Sequence, residues 1–295
     1  MIKRELKIIQ SYWSKPGIRR SGWSHTDFHF LSWILSCLKL KAYYPEVELI
    51  TDEKGKKLWI DILNLPYDRV SLRLDDLQDC NERIWTLGKL WSYNIQRQPF
   101  LHVDGDVLIW KKLPFRDEPL MAQHKESGFQ HNRCFFNLLR EKGYEFPAAI
   151  AWDDANVNEA NAGVLGGNDL SFFARYTRVA FKFLRDNQER ISALNAPNEI
   201  TAVNTIMEQG FFFRLAEQRN TPVCYLFDAE EVKDDFVKLV NFMSVPHASA
   251  YIHPVGYHKK NPVIGEWIAR LLYYEYPHYF RLFEHHKKEI YDLCR

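Results

Sequence analysis

The first hundred residues alternate between segments that read as strands and segments that read as helices, and this alternation constrains the fold more than any other feature. Residues 6–11, 47–50 and 70–74 have the short apolar character of strands, and a fourth run, 100–103, leads into Asp104. Between them, Ser24 and Asp27 suit a helix start, and Phe28, Leu31, Ile34, Leu35 and Leu38 follow at helical spacing. A short helix is expected over 55–63 and a third over 82–96. The order β-α-β-α-β-α-β belongs to an α/β fold with a mostly parallel central sheet flanked by helices. Ligands of such sheets collect beyond the carboxyl ends of the strands, where Ser11, Thr51-Asp52 and Asp104 all fall.

The second half is less regular. Residues 120–123, 162–165, 223–227 and 250–253 read as short strands, and 170–186 and 199–209 as helices. No repeat or linker interrupts the chain, so 1–260 is expected to be one domain, with 261–295 a helical C-terminal segment packed on it. That segment is strongly aromatic and ends in the basic run His285-His286-Lys287-Lys288. Its Trp267, Leu271, Leu272, Phe280 and Phe283 either pack on the core or face an acceptor or a membrane surface. A 46% hydrophobic content with 9 Trp, 15 Tyr and 20 Phe can fill a core for 295 residues. The formal charge of +1 provides no general attraction for nucleic acid. Five widely spaced cysteines form neither a disulfide framework nor a zinc-type pair. The first residues lack a signal-peptide core, and no run approaches the roughly 18 apolar residues of a membrane span. A cytoplasmic protein without a transmembrane segment, peripheral to a membrane at most, is therefore expected.

Asp104-Gly105-Asp106 lies between two apolar runs. It is either an acidic turn, for which Asp-Gly is a common dipeptide, or a site for a hard divalent cation such as Mn²⁺ or Mg²⁺. The strand-end location favours the second. Two further constellations carry chemistry. Asn161-Ala162-Gly163-Val164-Leu165-Gly166-Gly167 surrounds an apolar strand with small residues, which suits close approach by a ligand or by another strand. His253-Pro254-Val255-Gly256-Tyr257-His258-Lys259 offers an imidazole for a metal, a glycine for backbone approach and a lysine for phosphate in one short loop. Lys89, 15 positions ahead of Asp104 on the expected third helix, reads on its own as an ordinary surface lysine.

In this order the segments resemble the GT-A nucleotide-sugar glycosyltransferases, in particular family 8, which includes glycogenin and bacterial lipopolysaccharide galactosyltransferases. Thr86-Leu87-Gly88-Lys89-Leu90 is similar to the helix before the metal motif, Asp104-Gly105-Asp106 to Asp-x-Asp, Asn161-Ala162-Gly163-Val164 to the sugar-pocket strand, and His253-x-x-Gly256-x-x-Lys259 to the closing motif. The resemblance covers about residues 6–260. It implies a metal held by Asp104, Asp106 and His253. It also implies a donor, typically a UDP-sugar, bound by Lys89, Asn161, Ala162, Gly163, Gly256 and Lys259. Ser11, Tyr12 and Trp13, at the end of the first strand, are placed for base and ribose. Asp153, Asp154 and Glu199 are candidates for gripping sugar hydroxyls or, in an inverting reaction, for general base. The implied activity is hexosyl transfer with retention to a glycan, lipid-linked glycan or protein. The chain departs from the family in the Asp-Gln pair that often follows the Asn-x-Gly strand. The nearest candidate is Asn198-Glu199, and the stretch from Asn161 to His253 is long. The alternatives are a non-catalytic homologue that binds nucleotide sugars and a metal-dependent nucleotidyltransferase. The latter would show a glycine-rich phosphate loop near the first strand, whereas residues 11–21 contain only Gly17.

Overall fold

The computed structural model describes residues 6–17, 22–115, 117–152, 157–228, 231–232 and 235–294. Its strands are β1 (Lys7–Tyr12), β2 (Val47–Thr51), β3 (Arg69–Ser71), β4 (Phe100–Val103), β5 (Leu108–Ile109), β6 (Leu120–Ala122), β7 (Lys125–Glu126), β8 (Glu159–Ala160), β9 (Val164–Gly167), β10 (Val223–Tyr225) and β11 (Tyr251–Ile252). Its helices are α1 (Thr26–Tyr43), α2 (Glu53–Lys56), α3 (Leu87–Asn94), α4 (Gln130–Glu141), α5 (Leu170–Asp186), α6 (Gln188–Ala193), α7 (Pro197–Thr205), α8 (Phe211–Gln218), α9 (Pro262–Glu275) and α10 (Pro277–Leu293). The fold is α/β with a seven-stranded, mostly parallel sheet and two small antiparallel ribbons, β5/β11 and β7/β8.

The chain divides into two units. One is made of residues 7–76, 103–114 and 235–295. Here β1 runs parallel to β2, with Ser11 opposite Ile50, and β2 runs parallel to β3. Every residue of β2 is buried. Helix α1 is buried on all sides from Phe30 to Leu40, so it shows no single apolar stripe; it is a core helix, not a surface helix. Ile264, Ile268 and Leu272 of α9 and Phe283 and Ile290 of α10 join its cluster. Polar contacts fix the same packing: Lys39, buried in α1, donates to Glu275 at 2.6 Å and lies 4.4 Å over the Trp110 ring. At the start of α1, Asp27 accepts from Lys287 at 2.5 Å and from the Tyr291 hydroxyl. Of the C-terminal aromatic and aliphatic residues, Leu272 and Phe283 are buried, and Leu271 and Phe280 pack against the cluster. Trp267 stays 36% exposed but stacks on Phe242. Packing, at least, accounts for most of that segment.

The other unit comprises residues 1–6, 77–102 and 115–234. In it β10 pairs parallel with β6, and β6 antiparallel with β9. Gly166 and Gly167 explain themselves by packing. A Cβ on Gly166 would meet the Phe100 carbonyl oxygen at 2.1 Å, and one on Gly167 the Pro119 carbonyl oxygen at 2.0 Å. They serve strand-to-strand approach.

Several expected boundaries shift for identifiable reasons. The cap of α1 is His25, whose Nδ1 accepts from the Asp27 amide at 3.2 Å, in place of Ser24. The helix expected over 82–96 is confined to α3, because side chains bind the preceding backbone: Asn81 accepts from Arg83 N at 2.9 Å and Asn204 from Thr86 N at 3.0 Å. The helix expected over 199–209 is α7 followed by a wide π turn, Ile206–Gly210. Helices α4, α6 and α8 escape the sequence reading altogether.

Because Phe283 is fully buried between α10 and α1, Phe283→Ala is expected to lower unfolding free energy by about 3–5 kcal/mol. A urea denaturation midpoint checks it.

Candidate functional site

The Asp104-Gly105-Asp106 turn is built against α1. The Val107 amide donates to the Asp104 carbonyl at 3.1 Å, closing the turn. Ser32 donates to the Gly105 carbonyl at 3.2 Å, and Ser36 donates to the Val107 carbonyl at 2.7 Å. Behind Ser36 lies a buried chain of donors: Trp33 Nε1 donates to the Tyr67 hydroxyl at 3.0 Å, Tyr67 to Gln10 Oε1 at 2.7 Å, and Gln10 Nε2 to Ser36 Oγ at 3.0 Å. Buried polar groups satisfied in this way fix one arrangement. Gly105 is not needed for an unusual φ, since it lies outside the left-handed region. It is needed because a Cβ there would meet the Trp33 indole at 1.9 Å.

Asp106 and His253 are buried. His253 is 149 positions after Asp104, and the β5/β11 ribbon brings it back. Ile252 lies opposite Leu108, so the residue that follows β11 comes level with the end of the acidic turn. The His253 amide donates to Leu239 O at 2.8 Å, fixing the exit from the strand. Asp104, Asp106 and His253 each offer a ligand atom, all within 4.8 Å of one another. His253 Nε2 is 3.3 Å from Asp106 Oδ1, and Lys259 Nζ is in contact with Asp106 Oδ2. Burial alone would raise the Asp106 carboxyl, but Lys259 and His253 together hold it well below the usual carboxylate range. Gly256 sits at φ +52° with open space around its α-carbon, so the turn between His253 and Lys259 itself favours a glycine there. Ser24 N donates to Lys259 O at 2.9 Å, which ties that loop to the segment before α1.

At the end of β1, Ser14 donates to Asp52 through its amide at 2.8 Å and its hydroxyl at 2.7 Å, while Asp52 also caps α2. Tyr12 is buried edge-on to Trp33 and Trp59, at 5.2 and 5.1 Å. Trp13 is buried too, and Ser11 is half-buried.

The remaining matched residues lie in the other unit. Lys89 is not a free surface lysine: it donates to Glu208 at 2.6 Å. Asn161 donates through its amide nitrogen to Glu126 at 2.9 Å and accepts from Gly163 N at 3.1 Å, so both ends of its amide are held by protein; Ala162 is buried beside it. Glu126 also accepts from His131 and Asn132, each at 3.2 Å. Burial would raise Glu126, but these neighbours and His124 keep it low. Glu159, directly across the ribbon from Glu126, behaves in the opposite way. Burial and then the Glu126 charge push its carboxyl far up, and among the described residues neither of its oxygens has a hydrogen-bond partner.

The model of a family of unknown function, DUF6734, matches residues 6–285. The chain belongs to this family. No curated protein matches it. Among solved structures it is similar to the galactosyltransferase LgtC in complex with donor and acceptor sugar analogs, at 14% identity over 75% of this chain and 73% of that one, with TM-score 0.38. Mouse xyloside xylosyltransferase 1 is 6% identical over 75% and 84% of the two chains, with TM-score 0.40. The glycosyltransferase GlyE of Streptococcus pneumoniae TIGR4 is 12% identical over 69% and 44%, with TM-score 0.34.

Within this DUF6734 chain, Glu199 sits in the first turn of α7, where it accepts from the Tyr144 hydroxyl at 2.8 Å with Lys142 at 3.9 Å. Asp153 and Asp154 lie outside the described residues. Lys89 meets Glu208, which with Gln209 forms a second acidic–amide dipeptide after the Asn-x-Gly strand, beside Asn198-Glu199. The dipeptide was visible, but a π turn that carries it could not be anticipated from helical spacing. Gln10, Ser32, Ser36 and Tyr67, which hold the acidic turn, also went unread. The only local hint was Ser32 and Ser36 at i, i+4 spacing within an apolar helix.

Two outcomes follow from these contacts. Gly105→Ala forces a methyl into the Trp33 indole and is expected to cost about 1–3 kcal/mol, read from chemical denaturation. Glu159→Gln tests the raised carboxyl. A carboxyl whose folded pKa is raised keeps its proton in the folded state while the unfolded chain loses it, so stability falls as pH rises above the unfolded value near 4.5. The glutamine variant should therefore gain stability over the parent at pH 7, and the difference should shrink towards pH 4. Urea melts at several pH values measure it.

Proposed function

We propose that this chain is a metal-dependent glycosyltransferase of the GT-A type, moving a sugar with retention from a UDP-sugar to a glycan, lipid-linked glycan or protein acceptor. One observation carries the reading: two carboxylates and an imidazole gather within 4.8 Å, with a lysine on one of the carboxylates. These residues come from the two motifs whose sequence resembles family 8. Carboxylate oxygens with one imidazole nitrogen form a donor set that suits Mn²⁺ or Mg²⁺. Such a cation, when bound, would offset the negative charge that develops on a departing nucleoside diphosphate.

The chain's own groups supply the rest. Lys259 brings a second positive charge to the same place, and its pairing with Asp106 keeps it there before any ligand arrives. The Gly256 turn sets its reach. Asp52 holds the end of β1 through Ser14, and Ser11, Tyr12 and Trp13 beside it remain the proposed contacts to base and ribose. In the other unit Lys89 is balanced by Glu208 and Asn161 is held by Glu126; these two and Ala162 and Gly163 are the residues that the resemblance assigns to the donor. Asp153, Asp154 and Glu199 remain the proposed contacts to sugar hydroxyls.

The test is donor binding. A UDP-sugar with Mn²⁺ should stabilise the protein by about 2.7 kcal/mol at a hundred times its dissociation constant, and more than GDP-mannose does. Asp106→Asn should remove the stabilisation and the turnover while leaving the fold intact by circular dichroism. Full activity in excess chelator, or a larger shift with GDP-mannose, would overturn the reading. Binding without donor hydrolysis or transfer would leave a non-catalytic homologue.

A further inference from the structure

His29 belongs to no motif and has no assigned role, yet it lies on the face of α1 that carries the acidic turn. Ser32 and Ser36 on that face bond the turn's carbonyls, and Trp33 seats Gly105. Positions 29, 32, 33 and 36 are three and four apart and share one side of a helix. His29 is therefore the next polar residue of the same stripe, one turn towards the N-terminus of α1. The segment just before that terminus is the one tied to Lys259, through Ser24.

Three further observations single His29 out. Its Nε2 is shielded from solvent and has no hydrogen-bond partner among the described residues. A buried polar atom left in that state calls for an explanation, because almost all such atoms are paired. Its ring is held by Tyr12, Phe30, Trp33 and Trp59, with centroids 5.4–6.4 Å away, so it is fixed in place. The charges that bear on it are Lys259 and Asp106, the ion pair of the metal site. Burial first, and Lys259 second, lower its pKa to about 4. At neutral pH it is thus an uncharged imidazole, with one nitrogen that donates and one that accepts.

We propose that His29 is a donor-positioning residue, whose imidazole N–H binds a diphosphate oxygen of the nucleotide beside Lys259. This rests on the glycosyltransferase reading and adds to it a contact from α1, outside the matched motifs. A neutral donor locked by aromatic rings orients a phosphate oxygen without competing with Lys259 for Asp106. A purely structural His29, acting as an aromatic filler, predicts no effect on any ligand.

The experiment titrates UDP in saturating Mn²⁺ into the parent, His29→Phe and His29→Gln by calorimetry, with uridine and Mn²⁺ alone as separate arms. Phenylalanine keeps the ring packing, and glutamine restores a donor. His29→Phe should weaken UDP binding by about tenfold, the size of one hydrogen bond to a charged group, with His29→Gln recovering part of it. Uridine and Mn²⁺ alone should bind both variants as they bind the parent. If His29→Phe does not fold, His29→Asn, too short to reach the same oxygen, should show the same loss. Unchanged UDP affinity in a folded variant, or an equal loss for Mn²⁺ alone, overturns the inference and leaves the glycosyltransferase reading standing. A parent protein that binds no UDP with Mn²⁺ overturns both.

Discussion

The candidate site depends on one buried carboxylate being worth its burial. Taking an ionised carboxyl out of water costs several kcal/mol unless charges and hydrogen bonds meet it. Asp106 is met by Lys259 on one oxygen and His253 on the other. That pairing ties residues 104–106 to 253–259, and with them β5 to β11. The Lys259 ammonium offsets the carboxylate charge, while the His253 imidazole completes with Asp104 and Asp106 a group of three residues that could hold a metal ion.

The second unit handles its buried acids differently. Glu126, ringed by an asparagine pair and histidines, is kept charged; Glu159, facing it across two strands with no hydrogen-bond partner among the described residues, is kept neutral. Glu208 is neutralised by Lys89. Three carboxyls thus take three solutions: hydrogen bonding, protonation and ion pairing. When environments push two neighbouring carboxyls apart in this way, they mark where a proton can be held and where it cannot. For Asn161 the consequence is direct. Its amide is oriented by the charged member, so any ligand it meets sees a fixed edge.

How much of this could be read from the residues follows the distance over which each feature is encoded. The opening alternation gave β1, α1 and β2 within a residue or two at most ends, because apolar runs and turn residues act locally. The acidic turn was legible because it interrupts an apolar run at a strand end. Its meeting with His253 and Lys259 was not forced by anything local; it entered through a family resemblance, and the geometry comes from a two-residue ribbon too short to give a signal of its own. Lys89 looked like a surface lysine because its partner, Glu208, lies 119 positions away on a π turn. Gly105 answers to the bulk of Trp33 and Gly256 sits at a left-handed turn, demands that their neighbours in sequence do not announce.

Helix α1 shows why the support of the site stayed hidden. A helix packed on the sheet, α9 and α10 at once must be apolar all round, and a sequence with that property gives no direction to its few polar residues. Ser32 and Ser36 look like tolerated small residues until the turn they bond is placed beside them. Their hydroxyls carry the backbone of residues 104–107, which leaves the Asp106 side chain free to face Lys259 and His253. Main-chain groups of the turn are satisfied by α1, and the Asp106 carboxylate by Lys259 and His253. A site built this way changes its ligand chemistry only by replacing the carboxylates or their cations, whereas changes in α1 act first on stability. His29, which sits on the core helix within the field of Lys259 and Asp106, is where the two kinds of effect meet.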